Sequence, residues 1–179
     1  MTKPRILIAT LLLLAHSAAS HPQFNEAPAF RNGNSCSSDV VHIAMTLDYS
    51  TPYLRGSIAA VLSVLQHSTC PENTVFHFLS IPLHHPLLCS TLSAAFPFLR
   101  FHLYPFHPST VLPLISSFVR QALDQPLNYA CIYLPDLLSP SLRRIIYLDS
   151  DLIVVDDIAN LWNINLLGKV VIIITEYQK

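Results

Sequence analysis

Hydrophobic residues in this chain fall into short apolar runs that alternate with segments of helical periodicity. The apolar runs at residues 40–47, 75–80 and 100–104 predict buried strands. Between them, apolar side chains recur every three or four positions over residues 54–66 and 86–95, which predicts helices. Near-continuous apolar strands that alternate with helices are typical of a mostly parallel sheet covered on both faces. The predicted fold class is therefore α/β with a mostly parallel sheet.

The second half of the chain continues this pattern in shorter segments. Apolar spacing predicts a helix over residues 109–123 and a further short helix over 129–138. Two short strands are then predicted at residues 145–148 and 152–155. A D-x-D sequence separates these two strands, so its acidic residues stand inside an otherwise apolar run.

That run, IIYLDSDLIVV, carries the strongest candidate chemistry of the chain. Asp149 and Asp151 are two positions apart, so on a strand both carboxylates would point to the same side. Two carboxylates among buried strands are unfavourable unless their charge is compensated. A divalent cation compensates it, and hard oxygen ligands suit Mg²⁺ or Mn²⁺. The pattern predicts a metal-held phosphate of a nucleotide; the alternative, a surface turn with two solvated acids, is disfavoured by the apolar flanks.

The position of the D-x-D suggests a second part of the same site. Parallel α/β sheets bind ligands at the carboxyl ends of their strands. The segment after the first strand, residues 46–53, and the D-x-D both lie at such ends and could meet over one ligand. The following acids, Asp156 and Asp157, are interpreted as helix-capping residues rather than metal ligands, with Asp157 capping a helix at residues 158–162.

Composition and charge restrict the class of protein. The net charge is −1, which gives no indication of a nucleic-acid partner or an anionic membrane surface. The first 20 residues have a basic start, a run of about ten apolar residues and a tail of small residues. This layout predicts a secretory signal or a short uncleaved anchor, with a buried first helix as the weaker alternative. A polar stem is predicted at residues 21–38 and the folded domain at 39–179.

Four cysteines follow the leader, and their spacing is wide. In a secretory lumen some of them are expected to pair, and four cysteines allow three full pairings. None of the spacings fits a structural zinc site, so no such metal is predicted. The four positions are Cys36, Cys70, Cys89 and Cys131.

Three separated blocks make the chain resemble a known family. The blocks MTLDYSTPYLRGSIAAVLSVLQHSTCPENTVFHFLS, NYACIYLPDLL and RRIIYLDSDLIVVDDIANLW resemble the galacturonosyltransferase-like proteins of plants, within the retaining glycosyltransferases of family eight. The resemblance implies a GT-A fold, a UDP-sugar donor and Mn²⁺, or Mg²⁺, held by the D-x-D. It also implies transfer of galacturonic acid, or a related sugar, to pectin or another wall polysaccharide in the Golgi lumen, with retention of configuration.

The site residues implied by the resemblance can be carried over position by position. Asp149 and Asp151 match the two metal-binding aspartates, and Ser150 lies between them in the nucleotide-binding turn. No catalytic nucleophile is identified. The positions that match the uridine-contacting turn and the nearby aromatic residue are Thr46, Leu47, Asp48 and Tyr53.

Two departures from the family pattern affect the expected activity. Cys131 stands in NYACIYL where the resemblance implies an arginine that helps to hold the donor. Arg143 and Arg144 either substitute for it or are solvated residues before a strand. The chain ends at Lys179, before the expected acceptor region and a late histidine ligand. A truncated product with little or no transferase activity is therefore expected.

Two other functions are alternatives to the transferase. One is a non-catalytic lumenal relative that associates with full-length glycosyltransferases, favoured by Cys131 and by the early end of the chain. The other is a Mg²⁺-dependent phosphohydrolase with an aspartate nucleophile. Leu152 and Ile153 follow the second aspartate where such enzymes usually have Thr or Val and a Gly-rich loop, and the secretory leader also argues against this class.

Overall fold

A four-stranded, fully parallel sheet forms the centre of the molecule. The computed structural model describes Phe24, Glu26, Ala27, Cys36 and residues 39–115 and 125–167. The strand order is β3-β2-β1-β4, and each neighbouring pair is parallel. The predicted α/β class with a parallel sheet is confirmed. The strands are β1 (Val41–Thr46), β2 (Thr74–Ser80), β3 (Arg100–Pro105) and β4 (Ile146–Tyr147).

The helices of the described residues connect and flank these strands. The helices predicted at residues 54–66 and 86–95 are confirmed, each beginning slightly earlier than the apolar spacing suggested. The α-helices are α1 (Thr51–His67), α2 (His85–Ala95), α3 (Leu134–Leu137) and α4 (Ile158–Trp162). Short 3₁₀ helices lie at Pro71–Asn73, Pro82–His84, Pro108–Thr110, Leu112–Leu114 and Pro126–Tyr133.

The sheet separates two apolar clusters, as expected for a layer buried on both faces. On one face, side chains of β1 and β2 such as Ile43 and Phe76 pack with apolar residues of α1 and α2. On the other face, Ala44 and Leu79 pack with the 3₁₀ and α3 region. Strand β2 is buried at all seven positions, which explains why apolar residues such as Phe76, Phe78 and Leu79 occupy both of its faces rather than one.

Two segments predicted as α-helices differ from their predictions. The described start of the predicted 109–123 helix consists of 3₁₀ turns, so the α-helix prediction is wrong there, and residues 116–124 lie outside the described residues. Proline lacks the N–H that a continuing helix needs, and Pro113 lies in the second turn. The predicted 129–138 helix is largely a 3₁₀ helix that becomes α-helical only in α3.

The segment after the D-x-D is also different from its prediction. Residues 152–155 form no strand, although their sequence is apolar. The backbone N–H of Val154 donates to the Ser63 hydroxyl at 2.9 Å instead of to a neighbouring strand. Farther along, the Asp157 carboxylate accepts the Ala159 N–H at 2.9 Å, which confirms the predicted cap of α4.

The predicted leader at residues 1–20 lies outside the described residues, and the predicted stem at 21–38 is described at four positions. Two of these, Phe24 and Ala27, pack against the first apolar cluster.

A disulfide joins Cys36 to Cys70, and the remaining two cysteines are free. Across the described parts of the chain, no helix has the length and apolarity that crossing a membrane would require.

Candidate functional site

The ends of two adjacent parallel strands bring the candidate residues to one edge of the sheet. Strands β1 and β4 are neighbours, with Ala44 opposite Tyr147. The Leu148 N–H extends this pairing by donating to the Ala44 carbonyl at 2.9 Å. Residues 46–48 and 149–151 therefore leave the sheet side by side. The proximity of these two segments is as the sequence predicted.

The D-x-D itself is a solvent-exposed turn. Asp149 follows the end of β4, and Ser150 and Asp151 form the turn, with both aspartates exposed. One Asp149 carboxylate oxygen accepts the N–H of Ser150 at 2.8 Å. The expectation that strand geometry holds the two carboxylates among buried residues is wrong. Solvent, rather than an apolar surrounding, faces these two acids, so burial does not by itself demand a cation here.

The turn after β1 combines a buried anchor with an exposed aromatic side chain. Leu47 is 1% exposed and fixes the backbone between Thr46 and Asp48. The Asp48 carboxylate accepts the Ser50 N–H at 2.7 Å, an Asx-type contact that turns the chain into α1. Tyr53, in the first turn of α1, is 59% exposed. This segment therefore offers a half-buried acid and an accessible ring next to the D-x-D turn.

Tyr147 links the two segments from beneath. Its side chain lies on the sheet face opposite α1 and shares a hydrogen bond with the side chain of Thr46. The pKa of Tyr147 is raised to about 12, chiefly by burial, with smaller increases from the neighbouring Cys131 and Asp149 and an opposing effect of the Thr46 hydrogen bond. The phenol therefore stays protonated at physiological pH and remains a neutral hydrogen-bonding group.

Cys131 lies near Asp149, at the base of the exposed turn. It is a free, half-buried thiol in the 3₁₀ helix Pro126–Tyr133. Burial raises the pKa of Cys131, backbone hydrogen bonds oppose that shift, and the charge of Asp149 adds to the increase. The thiol is thus protonated and uncharged, which is the state of a small apolar residue rather than of a nucleophile.

The two arginines before β4 do not substitute for the arginine that the family resemblance implies at residue 131. Arg144 donates to the backbone carbonyl of Trp162, and its guanidinium lies 5.6 Å from the centre of the Trp162 ring. Arg143 is exposed, before the start of the strand. Asp149 follows the other end of β4. The guanidinium of Arg144 is therefore used to fasten α4 to the sheet.

The oxygen donors of the turn suit a hard divalent cation, but they form an incomplete ligand set. Asp149 and Asp151 offer carboxylate oxygens, the ligand type preferred by Mg²⁺ and Mn²⁺. Among residues 39–115 and 125–167 and the four described positions before them, no group of three His, Cys, Asp or Glu side chains is arranged to hold a metal ion. These residues are compatible with a divalent cation bound by the two carboxylates and by a diphosphate.

Three residues next to the site were not singled out by the sequence. Tyr147 is one position before the acidic turn, and its place on a strand face could have been read from strand alternation. Gly56 interrupts a helical run in a chain with only three glycines, which is a signal of close packing. Ser63 gave no signal, because the contact that it makes joins residues 91 positions apart.

Comparison with known proteins agrees with this architecture. Glycosyl transferase family 8 matches residues 42–179. The chain is 57% identical over 164 residues to probable galacturonosyltransferase-like 4 of Arabidopsis thaliana, covering 90% of this chain and 46% of that protein. It is 54% identical to probable galacturonosyltransferase-like 3 of the same plant, covering 84% and 46%. The chain thus spans less than half the length of these relatives.

A solved structure shows the same fold at low sequence identity. The galactosyltransferase LgtC, solved with donor and acceptor sugar analogues, aligns with a TM-score of 0.55 at 19% identity, covering 70% of this chain and 43% of that one. The shared fold is of the GT-A type. The chain belongs to glycosyl transferase family 8, and the relatives that it resembles at about half identity are galacturonosyltransferase-like proteins of plants.

Proposed function

We propose that this chain forms the donor-binding part of a retaining glycosyltransferase that transfers a sugar, galacturonic acid, from a UDP-sugar to a pectic wall polysaccharide. The observation that carries the proposal is the pairing of β1 with β4, which sets Thr46–Asp48 beside Asp149–Asp151 at one sheet edge. Family membership and relatives described as galacturonosyltransferase-like support the reaction class.

The acidic turn would hold the diphosphate through a divalent cation. Asp149 and Asp151 are exposed and carry the hard oxygen donors that Mn²⁺ or Mg²⁺ prefers. Such a cation, when bound, neutralises charge that develops on the UDP leaving group. The Ser150 N–H donates to the Asp149 carboxylate, and this hydrogen bond holds the first carboxylate in a fixed orientation relative to the turn.

The turn after β1 would take the uridine. Tyr53 is exposed in the first turn of α1, where its ring can stack on a base. Asp48 is held by the N–H of Ser50, so its carboxylate is oriented before any ligand arrives. Leu47 supplies the buried anchor. The neutral phenol of Tyr147 ties Thr46 to the end of β4, which keeps the two halves of the site at a constant separation.

Cys131 favours a second candidate function. A protonated thiol beside Asp149 supplies neither the charge nor the bidentate hydrogen bonds of the arginine that the family resemblance implies there. The alternative is a non-catalytic lumenal relative that binds UDP weakly or associates with other glycosyltransferases without turnover. The same fold and the same acidic turn would serve both functions, so the strength of Mn²⁺-dependent UDP binding distinguishes them.

A secretory location is part of the proposal. The Cys36–Cys70 disulfide is typical of proteins that fold in an oxidising compartment. The basic, apolar leader at residues 1–20 has the layout of a signal that delivers a chain there. The Golgi lumen, where wall polysaccharides would be assembled, fits both observations and the reaction class.

The test is a melting curve of the full chain with UDP, with Mn²⁺ and with both, followed by assay of UDP-galacturonate turnover. A ligand at 100 times its Kd stabilises the folded state by about 2.7 kcal/mol, a shift of several degrees. We expect this shift with UDP and Mn²⁺ together and no comparable shift with GDP and Mn²⁺. Because the chain spans less than half the length of its relatives, binding without turnover is compatible with both versions of the site. A large shift that requires UDP and Mn²⁺ together supports the donor-binding part, a small shift that does not depend on Mn²⁺ favours the non-catalytic alternative, and absence of binding would contradict both.

A further inference from the structure

Helix α1 approaches the acidic turn so closely that a side chain at Gly56 would collide with it. A Cβ atom placed on Gly56 would lie 2.8 Å from the carbonyl oxygen of Ser150 and 3.8 Å from its carbonyl carbon. Optimal contacts between non-bonded heavy atoms are near 3.5–4.0 Å. The neighbouring atoms belong to the backbone rather than to a flexible side chain, so the turn itself would have to move.

Glycine at this position is otherwise unfavourable. It is the poorest helix former after proline, and α1 is a helix of 17 residues with Gly56 in its interior. The space left by the missing side chain is filled by the peptide of Ser150, the central residue of the D-x-D. A displacement of that peptide moves both flanking carboxylates, because Asp149 and Asp151 are bonded to either side of it.

Further contacts fasten the same segment along α1. The buried Ser63 hydroxyl donates to the Ala60 carbonyl at 2.7 Å and accepts the N–H of Val154 at 2.9 Å. Beyond the helix, the Thr69 N–H donates to the Asp157 carboxylate at 2.9 Å. Gly56 and Ser63 are seven residues, or about 10 Å, apart along α1. Their contacts, Ser150 and Val154, follow in the same order along the chain. The chain after the D-x-D therefore runs alongside α1.

We propose that Gly56 is a positioning residue for the metal-binding turn: its missing side chain allows the Ser150 peptide to rest on α1, and the Ser63–Val154 contact holds the chain that follows. This inference rests on the proposed function for its metal and nucleotide. It assigns to α1 a role in the site separate from the aromatic contact at Tyr53. The role is to set the position and separation of the two carboxylates.

The experiment compares Gly56→Ala with Ala59→Gly in the full chain. Ala59 is an exposed residue of the same helix, so its variant changes helix propensity without touching the turn. The first readout, which needs no ligand, is the amide chemical shifts of Ser150 and Asp151. The second is Mn²⁺ affinity in the presence of UDP, measured by electron paramagnetic resonance.

We expect Gly56→Ala to shift the amide resonances of Ser150 and Asp151 and to weaken Mn²⁺ binding by about tenfold, since a small misplacement of site groups is sufficient for such losses. Ala59→Gly should lower the melting temperature and leave the affinity within about twofold. Unchanged resonances at Ser150 and Asp151 in Gly56→Ala would overturn the inference. If the wild-type protein binds Mn²⁺, an unchanged Mn²⁺ affinity in Gly56→Ala would also overturn the inference.

Two further results separate this inference from the proposed function. If the wild-type chain binds no Mn²⁺ with UDP, the proposed function fails, and the amide resonances alone decide whether Gly56 positions the turn. If Gly56→Ala does not fold, Ser63→Ala is measured instead. It should speed hydrogen exchange at the Val154 amide and weaken Mn²⁺ binding several-fold. No change in either quantity would contradict the proposed role of α1.

Discussion

The carboxylate of Asp149 lies near enough to Cys131 for its charge to raise the pKa of the thiol, although burial is the larger cause. An arginine at residue 131 would therefore lie at the acidic turn, beside the diphosphate that the turn is proposed to hold. We predict that Cys131→Arg increases UDP affinity in the presence of Mn²⁺ by about tenfold, because a charged hydrogen bond contributes roughly 1.5–3 kcal/mol. Calorimetric titration with UDP measures this change.

The matched control for that variant is Cys89→Arg. Cys89 is the other free cysteine and is exposed on α2, so the same charge is added away from the site. Its UDP affinity should equal that of the wild type. If Cys131→Arg leaves the affinity unchanged or lowers it, the thiol is not next to the diphosphate, and the proposed orientation of the donor is wrong.

Asp149 and Asp151 should contribute to ligand binding but little to stability. Both are exposed, and asparagine at residue 149 can still accept the Ser150 N–H. We predict that the double variant Asp149→Asn/Asp151→Asn unfolds within about 0.5 kcal/mol of the wild type. Its Mn²⁺ affinity with UDP should fall about 100-fold or more, as expected when the direct metal ligands are lost.

Asp136→Asn is the control for this loss of carboxylate charge. Asp136 is an exposed acid in α3 and takes no part in the proposed site. Denaturant melts and Mn²⁺ titrations of both proteins separate stability from binding. Equal affinities in the double variant and the wild type would show that Mn²⁺ is held elsewhere.

A chain of polar side chains crosses the sheet face opposite α1 and predicts a pH-dependent stability. His42 Nδ1 lies 2.9 Å from His77 Nε2, and His77 Nδ1 lies 3.1 Å from the Tyr104 hydroxyl. The pKa of His77 is lowered to about 4, chiefly by burial, with smaller contributions from the nearby His42 and His102. Burial also lowers the pKa of His42, with added effects from Arg100 and His102.

The sign of this effect follows from the lowered pKa of His77. Above about pH 6.5 the imidazole is neutral in both the folded and unfolded states, and its stabilising contribution is complete. As the pH falls from 6.5 to about 4, the unfolded state binds the proton first, so stability decreases by roughly 3 kcal/mol in total. Below that range the contribution of this residue to the free energy of unfolding no longer changes.

Denaturant melts between pH 4 and pH 7.5 test this prediction. His77→Gln removes the titrating group and should reduce the loss of stability across the range, whereas His107→Gln, at an exposed histidine, should retain the wild-type slope. A His77→Gln variant with the full wild-type slope would show that carboxylates or other histidines cause the pH dependence.

The disulfide predicts a large effect of reduction on stability. Cys36 and Cys70 are 34 positions apart, and closing a loop of that length stabilises a fold by roughly 2–4 kcal/mol. Reduction, or Cys70→Ser, should lower the free energy of unfolding by this amount. Cys89→Ser should have no comparable effect, because Cys89 is free and exposed. Equal melting temperatures with and without reductant would contradict the pairing.

Local sequence patterns were sufficient to predict the first three strands and the helices α1 and α2. Each strand is a mostly apolar run, although it contains a histidine, and each helix has a regular apolar spacing that covers one face of the sheet. The proximity of the two strand ends was also predictable, since parallel strands share one carboxyl edge. The strands and helices depend on residues close together in the chain, whereas the shared edge follows from the parallel arrangement of the strands.

The form of the acidic segment could not be predicted in this way. Its apolar flanks gave the signal of a buried strand, yet the N–H of Val154 is satisfied by the hydroxyl of Ser63, 91 positions away. Gly56 packs against Ser150, which is also far from it in the sequence. The cysteine pairing was likewise undetermined, because four cysteines allow three arrangements. In each case a contact between distant residues decides the structure.

The most direct test of the account is the position of Mn²⁺ in the UDP complex, measured by paramagnetic broadening of assigned amide resonances. We predict that substoichiometric Mn²⁺ with UDP broadens the amides of residues 149–151 and 46–48 first. This selective broadening should disappear in Asp149→Asn/Asp151→Asn. Broadening centred on His42 and His77, or spread evenly over the chain, would contradict the assignment of the acidic turn as the metal and donor site.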